Sequence, residues 1–595
     1  MKAYARTTLW VGLAVALAMG GASAAQAAFS TDVVQTTTGP VIGTSDGHVD
    51  RFLGIQYGAS TAGDKRWTAP VAPLRSHHII EATTPGASCP QTLSQFSAIT
   101  PQDENCLFLN VWRPRSADRD EKLPVMIWIH GGALIFGEGA GYNPEVMIET
   151  GRIVVVTINY RLGALGWLAD APLADVHGDS GNYGLMDQQL AMKWVRDNIR
   201  GFGGDPDKVT IAGESAGGLS TLSNLVSPTA TGLFRGAIVE SGAYMLFTVR
   251  SLAAQETLGA QFAAAVGCGT PSATNTNAMI AACLRGTPVA TLLKFQGIIN
   301  ASPTAGVAIF PQQGLAQAFT SGNFNQVPVL QGTNLNEGTL FEPLTLDPTF
   351  TFVPGGPAQA LLDANMGSLA FYEGLIAAFP GVPNNAFFEP AVANLYPPTN
   401  FPNPDNGGKP SADEALSQIF TDIVFACNGR SANQLLSNFV PVYAYEFADP
   451  NAPDLFQPLI GFSYGAAHTS ELQYLFDAKT LQGPIDAAAN AKSPAPGAAT
   501  QPPPLTTGGT ELAGEMKLYW TNFVNHLTPN ASHVDSVSDH DGDADDLAFW
   551  PLFTTANDEV QDLVPGPTEP HPITNFSAEH NCKALNGLHL VVGPG

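Results

Sequence analysis

Gly213-Glu214-Ser215-Ala216-Gly217 sets a hydroxyl among small residues, directly after the apolar run Val209-Thr210-Ile211-Ala212 and before a helix-forming stretch. A sharp turn from strand to helix needs small neighbours, and it lifts the Ser215 hydroxyl above the end of a sheet. The helix that follows aims its first amides at the same spot. A hydroxyl presented in this way is a nucleophile for acyl transfer. That chemistry also needs donors for an oxyanion, and His130-Gly131-Gly132-Ala133 follows a strand ending at Ile129, where glycines let backbone N–H groups approach a substrate. Either motif alone also fits an ordinary glycine-rich turn. Together, in this context, they point to a serine nucleophile facing an oxyanion loop.

The surrounding elements suit that task. Val125 to Ile129 and Ile153 to Ile158 are continuous apolar runs, as strands buried on both faces require. Between Leu185 and Ile199, Met186, Leu190 and Trp194 recur at i+4 beside Ala191, Val195 and Ile199, a broad stripe for packing a helix on a sheet. Gly236 to Ser241, Val327 to Gln331 and Val442 to Phe447 are further strands, separated by more residues than a βα loop needs. The alternation predicts an α/β fold: a mostly parallel central sheet with helices on both faces. Residues 245–325 and 340–437 read as helical insertions over the active site, within a single domain of residues 28–595. Ser493 to Gly509, rich in proline, reads as a surface loop or linker.

Composition narrows the partners. Lys and Arg number 26 against 52 Asp and Glu, a formal net charge of −26. Such a surface repels phosphate backbones and anionic lipid, so no nucleic-acid partner is expected. Lys2 and Arg6 precede the apolar run Leu9 to Met19, and small residues follow, which reads as a signal peptide over residues 1–27 with cleavage after Ala27. The expected product is secreted or periplasmic and has no stable membrane anchor. Six cysteines in an exported chain favour disulfides. Fifteen pairings are open to them. Proximity prefers Cys89 with Cys106 and Cys268 with Cys283, leaving Cys427 and Cys582 to tie the C-terminal region back. Asp539, Asp541, Asp543, Asp545 and Asp546 surround Gly542 like a calcium loop, but Trp550 stands where an EF-hand needs a bidentate Glu. A solvated acidic loop is expected there, and no metal.

These residues sit within a wider resemblance. Phe52 to Tyr57, Glu104-Asn105-Cys106-Leu107, Asn159-Tyr160-Arg161-Leu162-Gly163 and Gly203-Gly204-Asp205-Pro206 resemble the signatures of the type-B carboxylesterase and lipase family, the cholinesterase-like branch of the α/β-hydrolases. Asn105 replaces the family's Asp, Gln313 stands where many relatives carry Asp, and Cys582-Lys583-Ala584 departs from the usual Cys-Asp-Phe-Trp ending. The resemblance implies an α/β-hydrolase fold. It also implies a catalytic acid, Glu337, in Gly332-Thr333-Asn334-Leu335-Asn336-Glu337-Gly338, and a histidine, His468, in Gly465-Ala466-Ala467-His468-Thr469-Ser470-Glu471. Ser215, Glu337 and His468 then run in the chain order of such hydrolases. Glu342 is the rival carboxylate by proximity. Alignment implies Gly132, Ala133 and Ala216 as oxyanion donors.

The expected activity is hydrolysis of small carboxylic esters through an acyl-enzyme, with no cofactor. Two alternatives are a triglyceride lipase and a relative that binds partners without catalysis. Only sixteen residues separate Cys89 from Cys106, which is short for a lipase lid. The complete Ser215, Glu337 and His468 set argues against the non-catalytic relative.

Overall fold

The structure is a computed structural model that describes residues 29–92, 100–117, 120–341, 388–403, 409–410, 412–453, 464–476, 504–530, 547–566 and 570–588. The expected signal segment, Glu342, the acidic loop at 539–546 and the middle of the 340–437 insertion lie outside the described residues.

A twelve-stranded sheet organises the chain. Its strands are β1 (Phe29–Ser30), β2 (Thr44–Ser45), β3 (Val49–Gln56), β4 (Phe108–Pro114), β5 (Leu123–Ile129), β6 (Val154–Ile158), β7 (Gly204–Glu214), β8 (Gly236–Glu240), β9 (Val329–Asn334), β10 (Val442–Phe447), β11 (Val560–Leu563) and β12 (His571–Ile573). They lie in the order β1-β2-β3-β4-β6-β5-β7-β8-β9-β10-β11-β12. From β6 through β11 every neighbouring pair is parallel, while the pairings at both ends are antiparallel. The mostly parallel sheet expected from the apolar runs is therefore present.

Burial on both faces explains those runs. Val125, Ile127 and Ile129 of β5 point into one core with Val154, Val156 and Ile158, whereas Met126 and Trp128 point into the other with Val155. The first core is closed by helices α1 (Tyr183–Asn198) and α2 (Ala216–Val226), through Leu185, Val195, Leu219 and Leu222. Helix α3 (Ala412–Phe420) and helix α4 (Cys427–Leu436) are joined by a π-helical turn, Thr421–Ala426. Helix α5 (Thr507–His526) closes the second core through Met516, Trp520 and Phe523. The 245–325 insertion is helical as expected, and Phe262, Ile280, Leu284 and Leu292 from it pack on Trp167 and Leu165.

One boundary needs correction. The loop expected over Ser493 to Gly509 ends earlier, because Thr507, Gly508 and Gly509 begin α5. The Thr506 hydroxyl caps it, accepting the Gly509 N–H at 2.9 Å, which offsets part of the low helix propensity of two glycines. All three disulfides form: Cys89–Cys106, Cys268–Cys283 and Cys427–Cys582. The last closes despite the altered residues after Cys582. Bonds of this kind persist in exported or luminal proteins.

Candidate active site

The carboxyl ends of parallel strands share one edge of the sheet, and the residues singled out in the sequence gather there. Ser215 follows β7 directly and adopts φ 55° and ψ −121°, a backbone conformation that a non-glycine residue holds only under constraint. Its N–H donates to the Glu240 carbonyl of β8 at 2.8 Å, and its carbonyl accepts from Leu219 in α2. The turn is tight because α2 lies against β5. A Cβ on Gly217 would sit 1.9 Å from the Ile129 carbonyl oxygen, and one on Gly131 would sit 3.2 Å from Ser215 Cβ. These glycines allow the His130–Ala133 loop to touch the Ser215 turn.

That loop is fixed from several sides. Ala133 and Leu134 both have positive φ, at 52° and 61°. Ile135 and Phe136 donate back to the Gly132 carbonyl. Burial pushes the His130 imidazole down to about 4, against the pull of the Gly131 carbonyl, so the ring is neutral near pH 7. It stacks on Tyr160 at 4.4 Å, whose hydroxyl donates to the His130 carbonyl. Gln91, beside Cys89, exchanges hydrogen bonds with both the N–H and the carbonyl of Gly137. Among the described residues, the N–H groups of Gly132 and Ala133 have no protein partner. Ala216 opens α2, where an amide has no intrahelical acceptor.

Glu337 and His468 meet although 131 residues separate them. His468 Nδ1 lies 2.5 Å from Glu337 Oε2, and both side chains are buried. The other Glu337 oxygen accepts from Ser241 Oγ at 2.5 Å and from the Asn334 N–H at 2.8 Å. Three hydrogen-bond partners thus converge on this carboxyl group. His468 Nε2 lies 3.2 Å from Glu214 Oε1, and no hydrogen bond joins it to Ser215 Oγ among the described residues. Such contacts commonly tighten only with substrate bound. The rings of Phe341 and Phe425 lie 4.8 and 4.9 Å from that of His468.

Sequence reasoning did not single out the carboxyls around this pair. Glu214, Glu240 and Glu471 are fully buried near Glu337. Glu240 accepts from Trp520 Nε1 at 2.7 Å, and Glu471 accepts from the Asn334 side-chain amide. Burial pushes Glu240 up to about 8, against the Trp520 hydrogen bond. Burial first, then neighbouring carboxylates, hold Glu214 and Glu471 well above the ordinary range. Glu214 and Glu471 stand inside the quoted motifs, so their positions were visible although their burial was not.

The Carboxylesterase family pattern matches residues 30–584. The chain belongs to the carboxylesterase family. It is 29% identical to the para-nitrobenzyl esterase of Bacillus subtilis (strain 168), over 88% of this chain and 96% of that one. It is 30% identical to carboxylesterase 5A of Felis catus over 92% of each chain, and 29% identical to the acylcarnitine hydrolase of Mus musculus over 83% of this chain and 82% of that protein. A solved thermophilic PNB esterase superposes with a TM-score of 0.68 at 26% identity, covering 92% of this chain and 99% of that one. The fold is that of the α/β-hydrolases, and this carboxylesterase acts on small-molecule esters.

Proposed function

We propose that this carboxylesterase is an exported serine hydrolase, residues 28–595 forming one domain after removal of residues 1–27, that cleaves short-chain or aromatic carboxylic esters through an acyl-enzyme. Ser215 attacks the ester carbonyl while His468 Nε2 takes its proton. Glu337 holds the proton on Nδ1 and stabilises the imidazolium that forms. The N–H groups of Gly132, Ala133 and Ala216 receive the oxyanion. His468 returns its proton to the leaving alcohol, and water then repeats the sequence on the acyl-enzyme. The observation that carries this reading is the 2.5 Å Glu337–His468 contact beside a strained serine turn that abuts the oxyanion loop.

The substrate class follows from the walls. Phe341 and Phe425 crowd His468, which favours compact acyl groups or flat rings over long flexible chains. The Cys89–Cys106 loop holds only sixteen residues, so a large apolar lid is not part of this reading. Rates on p-nitrophenyl esters of increasing chain length test it, together with a fluorophosphonate label mapped to Ser215. The expected result is ordinary saturation with soluble esters, complete labelling in the wild type and neither label nor turnover in Ser215→Ala. A sharp rise in rate as a long-chain ester passes into emulsion would replace esterase with lipase.

A further inference from the structure

His580 lies outside the ester chemistry, yet its imidazole is gripped by carboxylates from two separate elements. Nδ1 is 2.6 Å from Asp422 Oδ1 and Nε2 is 2.5 Å from Glu446 Oε1, and all three side chains are buried. An imidazole facing two acceptors needs a proton on each nitrogen, so the unit is an imidazolium held between carboxylates. Burial opposes that charge, but Glu446 and Asp422 together raise its pKa well above the ordinary value. The other ionisable groups nearby are Glu579 on the same segment, Asp562 of β11 and His571 of β12. Asp422 is further fixed by the Tyr396 hydroxyl at 2.5 Å and the Gln418 amide at 2.7 Å.

Asp422 belongs to the π-helical turn Thr421–Ala426. Turns of this kind are rare within α-helices and recur at functional sites. The opposite side of this one faces the active site. Thr421 Oγ1 accepts the N–H of Gly338, next to Glu337, at 2.9 Å. Phe425 lays its ring 4.9 Å from His468 and 5.6 Å from Phe341. Immediately after the turn, Cys427 is bonded to Cys582, so the C-terminal segment carrying His580 is fastened to it covalently.

We propose that His580 is a positioning residue for ester hydrolysis: held between Asp422 and Glu446, it fixes the π-helical turn so that Phe425 walls the site at His468 and limits the acyl groups that fit. This rests on the Ser215–Glu337–His468 reading. With a neutral side chain at 580, Asp422 loses its cation, the turn relaxes, and the Phe425 wall yields to larger acyl groups.

The test uses the full-length oxidised enzyme and two substrates, p-nitrophenyl acetate and p-nitrophenyl hexanoate. Both use the same nucleophile and base, so the ratio of their kcat/KM values cancels any general loss of activity. His580→Gln is expected to raise the hexanoate-to-acetate ratio about three- to tenfold, mainly through KM for the hexanoate, while fluorophosphonate labelling stays complete. Phe425→Ala should shift the ratio in the same direction, and His580→Gln should add nothing in that background. A folded His580→Gln enzyme with the wild-type ratio, or full additivity with Phe425→Ala, overturns the proposal. Should His580→Gln fail to fold, Asp422→Asn keeps the Glu446 contact and is read by the same ratio and criterion. Ser215→Ala separates the two ideas: turnover that survives it refutes the triad, whereas an unchanged ratio in a Ser215-dependent enzyme refutes the clamp.

Discussion

Replacing Glu337 by Gln keeps the shape of the side chain and leaves it one acceptor oxygen. The carboxylate now serves Ser241 and Asn334 with one oxygen and His468 with the other. If the Gln oxygen turns to His468, its NH₂ faces the Asn334 N–H, and two buried donors oppose each other. Ser241 can rotate its hydroxyl to accept, but a backbone amide cannot. That orientation costs about 1–3 kcal/mol. In the other orientation the NH₂ donates to Nδ1, which moves the imidazole proton to Nε2, where it blocks uptake of the Ser215 proton. Either way the imidazolium loses a charge-assisted hydrogen bond of about 1.5–3 kcal/mol. The two effects sum to about 2.5–6 kcal/mol, or roughly 10²- to 10⁴-fold in kcat/KM. The assay is hydrolysis of p-nitrophenyl acetate by Glu337→Gln, with near-UV circular dichroism to establish folding. A folded variant within about tenfold of wild type would mean that Glu337 does not set the tautomer, and the acid assignment would fall.

Gly217→Ala drives a Cβ into the Ile129 carbonyl, so α2 must retreat from β5 and carry Ser215 with it; about a hundredfold loss of labelling rate is expected, and an unimpaired rate would show that the turn has slack. Ser241→Ala removes one of three donors to Glu337 and should slow turnover about tenfold, far less than Glu337→Gln, with equal losses counting against the geometry. Glu240 is a buried acid whose folded pKa, about 8, lies above its ordinary 4.5. The stability of its neutral form is complete below about pH 4.5 and is lost as pH rises through 8. Glu240→Gln is always neutral, so its melting temperature should gain on wild type between pH 5 and pH 9; a pH-independent difference would argue that Glu240 is ionised throughout.

The parts of this molecule that could be read from sequence are those whose physics is local. Val125 to Ile129 announces itself because a strand covered on both faces must be apolar at every position. The serine turn is legible because its sterics involve five consecutive residues. The start of α5 was missed because two glycines and a proline-rich approach outweigh, in sequence, a cap that acts through one Thr506 hydroxyl. Glu337 and His468 required the family resemblance, since nothing local distinguishes either from a surface residue. His580 offered no such help: its partners lie 158 and 134 residues away on a π-helical turn and a strand.

The same limit governs the charge of the site. Parallel strands bring their carboxyl ends to one edge, so β7, β8 and β9 deliver Glu214, Glu240 and Glu337 to the neighbourhood of Glu471 and a single imidazole. Ionising all four there would set like charges together in a medium that cannot solvate them. Burial instead raises Glu214, Glu240 and Glu471 above the ordinary carboxylate range, Glu240 to about 8. Glu337 is the member of the cluster on which Ser241, Asn334 and His468 converge. On the proposed mechanism, an imidazolium arising at His468 meets one oriented carboxyl group through Nδ1, while Nε2 lies 3.2 Å from Glu214, whose carboxyl burial raises well above the ordinary range.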